Sequence, residues 1–234
     1  MQRYFGEIIN NEIRISNDDI HHITHVMRMR VGDNFELVIN NKLYVCEITS
    51  LSPLSFNREE IVNDEEIKTK ITLFFALAKG DKIDLVIQKA TELGVHRIVL
   101  FKSKRCVVNF DNKDIEKKLS RYHKIAKEAS EQCHRLIVPE IVGVVDIKSV
   151  KDYMEEANLL AYEKLAGSKE GSFDLPKDIK SISIMIGSEG GFEEEEVNQL
   201  VKEGFVTVSL GKRILRCETA AIYAMSVLAY LLEK

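Results

Sequence analysis

The stretch Ile182-Ser183-Ile184-Met185-Ile186-Gly187-Ser188-Glu189-Gly190-Gly191, followed by Phe192 and the acidic run Glu193 to Glu196, decides the fold. An apolar run that breaks into a glycine loop and then into an acid-started helix is a strand–loop–helix junction. In an open parallel sheet, ligands bind beyond the carboxyl ends of the strands, so such a junction is where a site is expected. Three glycines let the backbone turn sharply and approach a ligand without an intervening Cβ. The loop is not G-x-G-x-x-G, and Gly211-Lys212 lacks the remaining residues of a P-loop. The four glutamates would repel a phosphate, which favours a neutral or cationic ligand. An ordinary tight turn would give the same pattern.

A second junction follows. Val206 to Leu210 ends at Gly211, and Lys212-Arg213-Ile214-Leu215-Arg216-Cys217-Glu218-Thr219 leads into an apolar C-terminal helix. Three cations after a strand end, with Glu218 near a helix start, read as a polar site or as salt-bridged loop structure.

Outward from these junctions the rhythm is strand, helix, strand. Ile71 to Ala78 is continuously apolar, the mark of a strand buried on both faces. Gly80-Asp81 opens a helix with Ile83, Val86, Ile87, Ala90 and Leu93 on one stripe, capped by Gly94. His96 to Phe101 is a strand, Lys113 to Cys133 a long basic helix, and Asn158–Tyr162, Ser183–Ile186 and Phe205–Leu210 are further strands. The pattern predicts an α/β domain over 71–234, a mostly parallel sheet with helices on both faces.

The first 68 residues read differently. Arg3 to Ile9 and Asn11 to Ile15 form a hairpin, and Ser16 caps a helix carrying Ile20, Ile23 and Met27. Phe35–Ile39 and Leu43–Ile48 form a second hairpin. This is a small β-barrel-like module over 1–68, with Asn63-Asp64-Glu65-Glu66 as the linker.

Composition narrows the class. The 234 residues are 45% hydrophobic and 30% charged, which excludes a disordered chain. The uncharged stretch Ala220 to Leu232 is too short to span a bilayer, no leader follows Met1, and no membrane association is expected. Cys46, Cys106, Cys133 and Cys217 are isolated, as in a reducing cytoplasm, and form no zinc spacing. His21 and His25 share a helical face but lack a third ligand, so no metal is expected. Residues 79–135 hold 14 Lys and Arg against 8 Asp and Glu, although the net charge is -4. That basic third fits a polyanion on one face or a solvated helix surface equally well.

The motifs IGSEGGF and LGKRILRCETAA resemble those of the RsmE-type ribosomal RNA methyltransferases of the SPOUT superfamily. Arg3-Tyr4-Phe5, His25-Val26-Met27-Arg28, Val31-Gly32-Asp33, Gln88 to Val95, Glu128 to Gln132 and Arg135 carry the resemblance along essentially the whole chain. Ser188 stands where proline is usual, and Cys217 where threonine is usual. The resemblance implies a PUA-like β-barrel, a C-terminal trefoil knot and a cytoplasmic homodimer. It also implies S-adenosylmethionine as cofactor and N3-methyluridine in 16S rRNA as product. Because the expected RNA-binding residues are spread over two modules, the assembled or partly assembled small subunit is the expected substrate. On it, Tyr162, Glu163, Ile186, Gly187, Glu189, Gly190, Gly191, Leu210, Gly211, Ile214 and Leu215 are expected at the cofactor. Arg3, Arg28, Arg30, Lys89, Arg105, Arg121, Lys124 and Arg135 are expected at RNA phosphates. Arg216 is the expected anion stabiliser, with Glu218 or Glu189 as base. A non-catalytic RNA-binding or assembly protein, and a SPOUT enzyme acting on another RNA position, are the competing readings.

Overall fold

The structure, a computed structural model, describes residues 1–62, 66–108, 112–166, 173 and 175–233, with 112–114 as backbone only. The chain divides into two compact units. One comprises Met1–Glu66 and Ser130–Ile137, the other Ile67–Ala129 and Val138–Lys234. Of the expected linker, Asn63, Asp64 and Glu65 lie outside the described residues.

The first unit holds strands β1 (Arg3–Ile9), β2 (Glu12–Ile15), β3 (Asn34–Ile39), β4 (Lys42–Leu51) and β5 (Leu54–Ile61) in one sheet of order β2-β1-β3-β4-β5. Alternation turns Tyr4, Phe35, Leu37, Ile39, Cys46 and Ile48 onto one core with Ile23. The single helix expected after Ser16 is instead two turns of different pitch: α1 (Asn17–His21), capped by the Ser16 side chain at 3.1 Å, and then a π-helical turn over His22–Val26. Strand β5 escaped the sequence reading because its outer positions, Arg58, Glu59 and Glu60, are exposed and charged.

The second unit is built on six parallel strands: β6 (Lys70–Ala76), β7 (Arg97–Lys102), β8 (Glu140–Asp146), β9 (Ala157–Ala161), β10 (Ser181–Ile186) and β11 (Val206–Val208). Their order is β11-β9-β10-β6-β7-β8, every pair parallel. Both faces are covered, as the unbroken apolar runs require. On one face Ile71, Leu73, Phe75, Ile184 and Ile186 pack against α2 (Lys82–Glu92), α3 (Asn112–Gln132) and α5 (Cys217–Leu232). On the other, Phe74, Ala76, Val99, Phe101 and Met185 meet α4 (Glu194–Lys202), Phe192 and Phe205. The chain runs β6, β7, β8 toward one edge, and β10 then inserts between β6 and β9. The sheet therefore reverses direction beside β10, and the glycine loop leaves the carboxyl end of that strand.

Candidate active site at the carboxyl ends of four strands

The loops that follow β9, β10 and β11 converge with Lys82, after β6, on one cavity of about 450 Å³. Small-molecule sites commonly have this size. All eleven residues expected at a cofactor line it, from Tyr162 and Glu163 through Ile186 to Gly191 and Leu210 to Leu215, as does Arg216. Residues that sequence reasoning did not place there are Lys82, Ala161, Ala166, Ser188, Arg213, Cys217 and Ala220.

The glycine loop is held from below. Phe192 is 1% exposed, stacked on Phe101 with ring centroids 6.2 Å apart. The loop itself closes through the Gly191 N–H donating to the Ser188 carbonyl at 2.9 Å. Cβ atoms added at positions 187, 190 and 191 would meet Phe192, Arg105 and Glu163, at 2.9, 3.0 and 2.6 Å. The three glycines thus also serve loop packing against the protein, while all three line the cavity. At Gly211, with φ +107°, an added Cβ would instead enter open space.

The acidic run is also reassessed. Glu193 pairs with Arg105 at 2.9 Å, Glu194 with Lys164 at 3.2 Å and Glu195 with Lys104 at 2.6 Å. Glu196, buried, accepts the backbone N–H groups of Lys104 and Glu193 in a capping box. Each charge has a partner, so the run does not present the anion-repelling face read from the sequence. Arg105 also donates to the Gly190 carbonyl at 3.0 Å, which makes it a brace for the loop.

At the mouth, Lys82 Nζ lies 2.9 Å from Glu189 Oε1 and 3.5 Å from Glu218 Oε2. Burial raises the Glu189 carboxyl, but hydrogen bonds from Lys82 and from the Glu189 and Lys79 backbone N–H groups outweigh it and hold it below the usual glutamate range. Glu218 is likewise lowered against a raising burial effect, by its own backbone N–H, Cys217 and Lys82. Burial, then the bond to Glu218, pushes the Cys217 thiol up to about 12, so it stays protonated. Both carboxyls are therefore ionised near neutral pH, the form a general base requires, with lowered basicity. Glu218 pairs with Lys82, not with Arg216. Arg216 stands at the N-cap position of α5 without a side-chain capping bond, is exposed, and has no ion pair among the described residues.

The expected phosphate contacts divide. Arg3, 2% exposed, is bonded to Glu36 and to the His134 carbonyl. Arg135, 8% exposed, forks onto Glu66. Both guanidiniums are consumed inside the first unit, and their assignment to RNA is withdrawn. Lys89, Arg105 and Arg121 are partly exposed in pairs with Glu92, Glu193 and Asp84. Arg28, Arg30 and Lys124 are exposed. No group of three or more His, Cys, Asp or Glu able to hold a metal occurs among the described residues, and no helix there is long and apolar enough to cross a membrane.

Comparison with known proteins agrees with this architecture. Residues 65–229 match the RNA methyltransferase domain model and residues 15–57 the RNA methyltransferase PUA domain model. The chain is 38% identical over 253 residues to ribosomal RNA small subunit methyltransferase E of Bacillus subtilis, covering 100% of this chain and 98% of that protein. It is 33% identical to the protein of the same name from Mesomycoplasma hyopneumoniae, over 97% of this chain and 98% of the relative. Ribosomal RNA small subunit methyltransferase E from Neisseria gonorrhoeae, solved bound to S-adenosyl methionine, superposes with a TM-score of 0.86 at 29% identity, covering 99% and 98% of the two chains. With both domain models matched in tandem and a relative this similar matched along the whole chain, this protein belongs to the family of RNA methyltransferases that carry a PUA domain, among the small subunit methyltransferases E.

Proposed function

We propose that the protein methylates N3 of a specific uridine in 16S rRNA, using S-adenosyl-L-methionine, on the assembled or partly assembled small subunit in the cytoplasm. The observation that carries this reading is the convergence of three loops and Lys82 on a cavity whose wall includes Arg216, which has no ion pair among the described residues. The family membership supports it. We read the first unit, residues 1–68, as the RNA-gripping module and 71–234 as the catalytic domain, its last strands and α5 forming a trefoil knot.

The residues present fit the cofactor. Gly211 leaves room for close approach, Ile186, Leu210, Ile214 and Leu215 offer apolar walls to an adenine, and Glu163 and Arg213 offer charged groups to the polar end. S-adenosyl-L-methionine supplies an activated sulfonium methyl, so the chain's own task is to present uracil N3 in line and to favour its anion. Arg216, at the N-cap position of α5, stabilises the charge that develops on the flanking carbonyl oxygens and so makes the N3 proton easier to lose to solvent. Glu189 and Glu218 act through the geometry they impose on the loops. Arg28, Arg30, Lys89, Arg105, Arg121 and Lys124 meet phosphates; the surface pairs among them are worth at most about 1 kcal/mol and exchange readily.

Helix α5 is apolar on most of its circumference, and Tyr223, Tyr230 and Leu231 are 47%, 63% and 38% exposed. This face supports a homodimer, which light scattering of the purified protein reads directly.

The test is Arg216→Ala. Calorimetry should find cofactor affinity nearly intact, while the methylation rate falls ~10²–10³-fold, the loss of one charge contact made only in the transition state. An unchanged rate removes Arg216 from catalysis.

A further inference from the structure

Lys82 is the one cation of the cavity wall that sequence reasoning missed and that already has two partners. It stands on the first turn of α2, whose Ile83, Val86 and Ile87 are buried beneath it, so its stem rises from a fixed base. Its ammonium lies between the carboxylate of Glu189, on the loop after β10, and that of Glu218, on the first turn of α5. Glu189 Oε1 also accepts the Lys79 backbone N–H at 3.0 Å, and Glu218 Oε2 accepts the Cys217 thiol at 3.3 Å. Two carboxylates within 3.5 Å of one nitrogen repel each other if that nitrogen is removed. Arg216 immediately precedes the residues so held, because it is the N-cap of α5.

We infer that Lys82 is a positioning residue: it ties the glycine loop to the start of α5 through Glu189 and Glu218, and thereby holds both the cavity wall and Arg216 in place. The inference rests on reading the cavity as the S-adenosyl-L-methionine site, and it adds a residue whose action is entirely through others. The groups facing the two carboxylates are Lys82 from α2, the Lys79 N–H from the turn after β6, the Glu189 N–H of the glycine loop, and the Cys217 thiol with the backbone N–H of Glu218 from α5.

The experiment compares the full-length parent, Lys82→Met and Lys82→Arg. Calorimetric titration with S-adenosyl-L-methionine is run from pH 5 to 8, and the Glu189 and Glu218 carboxyls of the ligand-free proteins are titrated by NMR. Lys82→Met is expected to weaken cofactor binding about tenfold, the effect of one lost charge-assisted contact. Both carboxyls are expected to titrate at higher pH in that variant, moving the acid limb of the binding profile upward. Lys82→Arg restores both readouts. Lys82→Gln carries the same test if Lys82→Met does not fold. Parental affinity and pH profile in Lys82→Met overturn the inference, as does a loss shared by Lys82→Met and Lys82→Arg with the carboxyl titrations unmoved. A parent that takes up no cofactor while the carboxyls still shift on substitution refutes the cofactor reading, and the positioning role with it, but leaves the ion cluster standing.

Discussion

Replacing Gly191 with alanine probes the cavity wall from the side away from any ligand. Gly191 has φ +67°, and an added Cβ would lie 2.6 Å from Glu163 Oε1 and 3.0 Å from its Cδ. Two costs follow. A left-handed backbone angle costs an alanine roughly 1–2 kcal/mol. The Glu163 carboxyl must also retreat by roughly 1 Å to restore normal contact. Glu163 begins the short 3-10 turn Glu163–Leu165 that forms the wall with Tyr162, so this retreat deforms the cavity. Thermal melting should show a fall of about 3–8 °C, given about 2–4 °C per kcal/mol for a chain of this size. Calorimetry should show cofactor affinity about tenfold weaker, or ~1.4 kcal/mol. Glu163→Ala supplies the decisive cross-check, since in the double variant the clash is gone and the backbone strain alone remains. The cycle should therefore show a coupling of about 1 kcal/mol, within the range for residues in contact. Gly211→Ala is the control for melting of the ligand-free protein: φ is +107° and no atom lies within 4 Å of its added Cβ, so it carries strain without a clash. Strict additivity of Gly191→Ala and Glu163→Ala would refute the reasoning.

Three further outcomes are expected. Ser188 is 6% exposed and its Oγ is buried without a hydrogen-bond partner among the described residues, so Ser188→Ala should raise the melting temperature by a few degrees, about 1 kcal/mol, and a drop would show that the hydroxyl is used. Glu189 and Glu218 are held below the ordinary glutamate value of 4.5, so the unfolded chain takes up protons first as the solution is acidified. Their stabilisation is complete above that value and is lost as pH falls through the lowered folded-state values. Melting curves from pH 6 to 3 should show a steeper acid loss in the parent than in Lys82→Met, by no more than about 1 kcal/mol per screened pair. Charge reversal at Arg121 and Lys124 should reduce the salt slope of RNA binding by roughly two units, one per phosphate contact, and an unchanged slope would place the RNA on another face.

What the sequence made legible was what local pattern determines. Ile71 to Ala78 reads as a doubly buried strand, and β6 is one; IGSEGGF reads as a strand end turning into a helix, and the loop sits at the carboxyl end of β10. What stayed hidden depends on residues far apart in the chain. Glu189 and Lys82 are separated by 107 positions, and Glu195 and Lys104 by 91, so neither the cluster at the mouth nor the neutralisation of the acidic run had a local signature. Arg3 and Arg28 look alike as letters, yet one is 2% exposed and the other lies open to solvent, because burial is a tertiary property. The edge strands β5 and β8 were missed for a related reason: one carries Arg58, Glu59 and Glu60, the other ends in Glu140 and Asp146, and edge positions need no apolar run.

The central claim is the transfer itself. Small ribosomal subunits from a strain lacking the corresponding methyltransferase gene, incubated with the purified protein and S-adenosyl-L-methionine carrying a labelled methyl, would be digested and their 16S rRNA nucleosides mapped by mass. One labelled methyl per subunit is expected, on N3 of a single uridine, and almost none with Arg216→Ala. Label on a ribose, on another base, or on nothing at all would contradict it.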